Sequence, residues 1–183
     1  MSQSTPFYIT TAIDYSNDSP HLGTAYEKIG ADVIARYKRL CGYSVFFQMG
    51  NDEHSQNVKK KAQSLNKDPQ IYCDEMADKF KKTWAALNIS TDYFIQTSHP
   101  EHGAMVQEIV LRIHRKGDIY KGKYKGFYCV SCEAFKLESE LTPAGLCPNH
   151  LKAPDYIEEE NYFFALSRYT PFLKDLITSQ ENF

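Results

Sequence analysis

At 183 residues the chain has room for one substantial domain, or for one domain and a small insertion. Its 42% hydrophobic and 24% charged content is that of a soluble globular protein, and no run of about 18 apolar residues exists to cross a membrane. A formal net charge of −2 excludes a global pull toward DNA or other nucleic acid, so any such contact is local.

The opening stretch Met1-Ser2-Gln3-Ser4-Thr5-Pro6 lacks the basic and apolar parts of a signal peptide, so a cytoplasmic location is expected. A short apolar run, Phe7 to Ala12, predicts a first strand. A turn-rich linker, Asp14 to Pro20, leads into a helical pattern over roughly 24–41. Its apolar stripe is Ile29, Val33, Tyr37 and Leu40, and Gly42 is its stop. The junction Pro20-His21-Leu22-Gly23-Thr24 puts a histidine, a glycine and a hydroxyl at a strand-to-helix corner. Free N–H groups and the positive end of the dipole there suit a phosphate, and Gly23 would let a nucleotide approach the backbone. An ordinary turn with an incidental histidine fits the same five residues.

Ser44 to Met49 predicts a second strand, parallel to the first across the helical crossover. Asn51-Asp52-Glu53-His54 follows at its carboxyl end, where open α/β sheets bind ligands, so the His21 and Asp52 clusters are expected to face one crevice. Helical patterns occupy 54–65, with Lys59-Lys60-Lys61 on a solvated face, and 69–88, with Tyr72, Met76, Phe80, Trp84 and Leu87 as core. A third strand is expected within 91–97. A helix at 101–116 turns Met105, Ile109 and Ile113 inward and stops at Gly117. Near residue 118 the helical period gives way to short aromatic segments broken by glycine and then to cysteines. A boundary is therefore placed there, between 1–117 and 118–183.

Cys129-Val130-Ser131-Cys132 and Cys147-Pro148-Asn149-His150 form C-x2-C and C-x2-H pairs separated by 14 residues. Cysteines in a reducing compartment at this spacing suggest metal before disulfide. Three thiolates and an imidazole make a closed tetrahedral set suited to structural zinc. The segment between the pairs is too polar to fold alone, so binding of order 10–16 kcal/mol would be its main support. The competing reading is a redox C-x-x-C with an unrelated third cysteine, against which the repeated spacing argues. Cys41 and Cys73 fall in helical patterns as ordinary buried or half-buried thiols.

Four stretches resemble the methionyl-tRNA synthetase family, within the class I aminoacyl-tRNA synthetases. They are Tyr8-Ile9-Thr10-Thr11-Ala12-Ile13-Asp14-Tyr15, Pro20-His21-Leu22-Gly23-Thr24-Ala25-Tyr26 at the motif written HIGH, Gly50-Asn51-Asp52-Glu53-His54, and Tyr128 to Glu133 taken with Cys147 to His150. Glu158 to Phe164 resembles the return from the knuckle. The resemblance implies the N-terminal half of a Rossmann-like parallel nucleotide-binding fold with an inserted zinc-knuckle, or connective-peptide, domain.

By this resemblance His21, Thr24 and Asp52 are catalytic. Ala12, Ile13, Tyr15 and Asp52 receive methionine, and His21, Gly23, Thr24 and Glu27 receive ATP with Mg²⁺. Cys129, Cys132, Cys147 and His150 bind structural zinc. The implied reaction is ATP-dependent formation of methionyl-adenylate and transfer to tRNA(Met). Two departures stand out. Thr24 occupies the place of the motif's second histidine, and nothing in the chain resembles the KMSKS loop or an anticodon-binding domain. The chain, ending at Glu181-Asn182-Phe183, is therefore expected to be an N-terminal piece with half an active site. The alternatives are an HxGH-type nucleotidyltransferase, which has no use for the knuckle, and a non-catalytic zinc module that binds tRNA or a partner.

Overall fold

The structure, a computed structural model, describes residues 5–132 and 134–179. Glu133 of the knuckle motif, the residues 1–4 read for a leader and the terminal 181–183 lie outside the described residues, as does residue 180. The chain forms two compact units, Met1–Gly103 and Ala104–Phe183. The composition shift at 118 lies C-terminal to that division.

The first unit is an α/β layer built on a parallel sheet. In order it contains β1 (Pro6–Thr10), β2 (Asp14–Tyr15), α1 (Leu22–Leu40), β3 (Ser44–Asp52), α2 (Gln56–Ser64), α3 (Pro69–Ala86) and β4 (Tyr93–Gln96); α4 (Pro100–Arg115) begins at its end. Gln48 of β3 pairs with Thr10 on one side and Tyr93 on the other, while Asn51 pairs with Asp14 and Gln96. So β3 is central, with β1 and β2 along one edge, β4 along the other, and all pairs parallel. The expected parallel β1–β3 pair joined by a helix is present. Gly50 is required where β3 meets β4, because a Cβ there would lie 2.2 Å from the Ile95 carbonyl oxygen.

The core joins Phe47 and Met49 of β3 to Ala31 and Ala35 of α1 and to Phe80 and Trp84 of α3. Val58 and Ala62 of α2 close a second cluster with Tyr72 and Cys73. The stripe expected on α3 is buried at Tyr72, Phe80 and Trp84 and half-buried at Met76, whereas Leu87 is exposed beyond the helix end.

On α1 the expected face is not the buried one. Ile29, Val33, Tyr37 and Leu40 are all exposed, Leu40 at 87%, and the helix instead turns Lys28, Ala31, Asp32 and Ala35 inward. The sheet lies close enough that alanines fit against it, and the charged pair is buried because each member finds partners there. Likewise Met105 and Ile109 of α4 are exposed and Ile113 is half-buried. Apolar period identifies a face that burial would favour; it does not supply the layer that covers it.

The second unit is led by an antiparallel hairpin, β5 (Ile119–Cys129) with β7 (Asp155–Phe164), carrying β6 (Ala134–Lys136) on its other edge. A long regular hairpin stands where the sequence suggested only short broken segments. On one face the rings of Tyr120, Phe163, Tyr124, Phe135 and Tyr128 pack in succession, with centroids 4.2–6.2 Å apart. The chain closes with α5 (Thr170–Ser179). No helix among the described residues is long and apolar enough to cross a membrane.

Candidate active site and metal centre

His21 is the N-cap of α1, with extended backbone and its imidazole folded back over the first turn. Its Nδ1 accepts from the backbone N–H of Gly23 at 3.1 Å and of Thr24 at 3.4 Å. The neutral ring therefore keeps its proton on Nε2, leaving one N–H donor at its outer end. Thr24 completes a reciprocal capping box, its hydroxyl donating to the His21 carbonyl at 2.9 Å and accepting from the His21 N–H at 3.1 Å.

These bonds occupy the start of the helix. The N–H groups of Gly23 and Thr24 are not free for a phosphate but are held by the imidazole. Gly23 makes room for that ring: a Cβ there would sit 3.0 Å from His21 Cε1.

Beside this helix start lies a crevice of about 260 Å³, walled by Ile13, Asp14, Tyr15, Ser19, His21 and Phe80 among others. Thr24 also reaches it. Ala12 and Asp52 are not among its lining residues. Asp52 ends β3 opposite Tyr15 in register, and its Oδ1 accepts from the His54 N–H at 3.3 Å. The structure thus brings His21, Thr24, Ile13 and Tyr15 together at one surface, with Asp52 on the strand paired to Tyr15.

Under the loop lies a feature that composition alone did not suggest. Lys28 is 0% exposed. Its ammonium donates to the Ala12 carbonyl at 2.9 Å, to Glu27 Oε2 at 2.9 Å and to Asp14 Oδ1 at 3.1 Å. Glu27 Oε1 in turn accepts from the Ala12 N–H at 2.8 Å. Glu27, expected to receive ATP, is occupied in binding the loop to α1. Burial raises the Asp14 pKa and outweighs the opposing Lys28 ammonium. At Glu27 burial pushes the same way, but the Ala12 N–H and Lys28 prevail and hold its pKa low. The available signal was a lysine nearly two turns into a helix and an aspartate in the segment before it.

A second polar cluster closes the carboxyl ends of β3 and β4. Asn51 donates to Ser16 Oγ at 3.0 Å, and both residues are fully buried. Glu53 accepts from Gln96 and Ser98, and the His54 and His102 rings both reach the Thr97 carbonyl, at 3.1 and 2.9 Å.

At the end of the hairpin, Cys129, Cys132, Cys147 and His150 bring their donor atoms within 4.8 Å of one another. Cys132 Sγ lies 3.5 Å from Cys147 Sγ and 3.2 Å from His150 Nδ1, and that nitrogen lies 4.0 Å from each other sulfur. Tetrahedral zinc with Zn–S bonds of about 2.3 Å sets its sulfurs roughly 3.8 Å apart, so the set fits such an ion. Tight turns place the donors: the Cys132 N–H returns to the Cys129 carbonyl, and that of Leu151 to the Cys147 carbonyl. His150 beside Cys147 draws its thiol down to about 6, while burial and the neighbouring thiols push Cys132 up to about 11. The donor set is compatible with a cation among its members. Cys73 is buried, as expected, whereas Cys41 is exposed and not a buried thiol.

The structure defines an α/β protein with a parallel sheet, a crevice over a histidine-capped helix and a Cys3His cluster. The family model described as tRNA synthetases class I (M) matches residues 7–155. The chain is 53% identical to a methionine–tRNA ligase of Thermotoga maritima over 89% of its length and 26% of the relative's. It is 44% identical to that of a Nostoc species over 97% of its length and 34% of the relative's. The solved Mycobacterium tuberculosis methionyl-tRNA synthetase, in complex with methionyl-adenylate, superposes with a TM-score of 0.91 at 38% identity, over 98% of this chain and 36% of that one. The chain belongs to the methionyl-tRNA synthetase family of class I, and spans about a quarter to a third of the length of these relatives.

Proposed function

We propose that this chain carries the part of a methionine–tRNA ligase that receives methionine and the ATP phosphates. The whole protein would activate methionine as methionyl-adenylate and pass it to tRNA(Met). The observation that carries this reading is the crevice at the start of α1, walled by the loop after β1 and by the cap residue His21. The likeness to a synthetase solved with methionyl-adenylate supports it.

His21 would offer Nε2–H to ATP and stabilise charge on the transferring α-phosphate. Ile13 and Tyr15 would meet the methionine side chain, an apolar and aromatic surface suiting a thioether. Asp52 would bind the ammonium. Gly23 and Thr24 would act by fixing the imidazole, and Glu27 by fixing the backbone of Ala12. The methionine carboxylate attacks the α-phosphorus in line, forming a P–O bond as the bond to pyrophosphate breaks. A terminal hydroxyl of tRNA then attacks the carbonyl carbon and releases AMP. Positioning and charge stabilisation suffice for such a reaction. ATP would enter with Mg²⁺.

The Cys3His set would hold zinc as a structural tie in a connective-peptide domain, for which we take 118–183, the catalytic half being 1–117. A closed set of four protein donors supports a structural ion over a catalytic one. Free cysteines throughout accord with a reducing cytoplasm. Calorimetric titration of the chain with methionine and with ATP tests the reading. Both are expected to bind, and His21→Ala to lose ATP while keeping methionine. Binding of RNA alone, steeply weakened by salt, would favour the non-catalytic module.

A further inference from the structure

The crevice beside His21 is poor in positive charge for a polyphosphate. Its walls include Asp14 and Asp18, and the ammonium of Lys28 beneath them is buried and already bonded to three oxygens. Lys79 of α3 reaches the rim from outside. Its Nζ donates to Ser19 Oγ at 2.5 Å, and both Ser19 and Phe80, the next residue along α3, line the crevice. Among the described residues Lys79 forms no ion pair, and Glu75, one turn earlier, is held by Lys67.

We propose that Lys79 is a phosphate-contacting residue of this site. A neutral hydroxyl is a weak partner for an ammonium, and a charged phosphate oxygen is a stronger one. Lysine binds phosphate as a point charge on a flexible stem, so its head can leave Ser19 for the ligand without any movement of α3. Lys82 serves as the comparison: it lies on the same helix and shares an open groove with Lys79, and although neither lysine lines the crevice itself, only Lys79 bonds to the lining residue Ser19 among the described residues. The assignment rests on the nucleotide reading above and adds to it the residue that supplies charge from α3.

The test is titration of the chain with ATP and with adenosine, using the wild type, Lys79→Met, Lys79→Arg and Lys82→Met. Lys79 is exposed, so its variants should fold, which circular dichroism checks. Lys79→Met is expected to weaken ATP about tenfold and Lys79→Arg less than about threefold, with Lys82→Met unchanged and adenosine indifferent to all three. If ATP and adenosine weaken together, or Lys82→Met equals Lys79→Met, Lys79 is not a phosphate contact. If the wild-type chain binds no ATP, the nucleotide reading falls and Lys79 with it, so the two failures are distinguishable.

Discussion

His21 has two separable roles, and substitution can divide them. As N-cap it satisfies the N–H groups of Gly23 and Thr24, a contribution of about 1 kcal/mol to stability. As the imidazole at the crevice it would meet ATP. In the complete enzyme His21→Ala should lower both the melting temperature and methionine-dependent ATP–pyrophosphate exchange. His21→Asn restores a capping side chain but no ring nitrogen, so stability should return while exchange stays low. Recovery of exchange in the asparagine variant would reduce His21 to a cap. Lys28 stands at the other extreme of burial. Replacing it with methionine leaves Asp14 and Glu27 without their shared cation and should cost about 3–5 kcal/mol, read by denaturant unfolding. A loss below about 1 kcal/mol would show that the carboxylates are solvated without it.

Between elements, α1 is tied to the chain before β4 by Asp32. Its Oδ1 accepts from the Ser90 N–H at 2.7 Å, and its Oδ2 from Arg36 Nε at 2.6 Å. Burial pushes its pKa up, but Ser90 and Arg36 outweigh burial and hold it below the usual carboxylate range. The folded state therefore favours the ionised form over the unfolded chain. Its contribution is complete above the ordinary carboxylate value near pH 4 and is lost as pH falls through the lower folded value. Asp32→Asn should accordingly unfold at lower denaturant than the wild type at pH 7, and the gap should narrow toward pH 2. A gap that stays constant with pH would mean that the bonds matter and the charge does not. The same face of α1 explains why its apolar stripe misled. Ala31 and Ala35 let the helix approach β3, and the larger Ile29, Val33 and Tyr37 are left exposed.

Across the whole chain the two units draw on different sources of stability. The first has a packed core at Phe47, Met49, Phe80 and Trp84, whereas the tip of the second has a donor set and little apolar mass. Removal of metal by a chelator, or Cys147→Ser, should therefore abolish amide protection across residues 129–150 while the amides of Phe47 and Met49 keep theirs. Hydrogen exchange read by mass spectrometry decides it, with one zinc per chain expected before chelation. Undiminished protection across 129–150 would show that the aromatic row of Tyr124, Tyr128 and Phe135 holds the hairpin unaided.

Local chemistry was legible in the sequence itself. The Cys3His ligands sit at short spacings, the βαβ order follows from hydrophobic period and stop signals, and the family resemblance rests on contiguous stretches such as Pro20 to Tyr26. Each of these depends on residues near one another in the chain, so composition and spacing carry it. The tertiary structure alone decided which face of α1 is buried, that Lys28 lies beneath Asp14 and Ala12, and that His21 turns its Nδ1 onto its own helix. Those outcomes depend on what lies across a few ångströms of space between residues 14 to 28 and the strands beside them. Burial of a charge or the commitment of a lone pair is settled by neighbours, and neighbours distant in sequence leave no local pattern to read.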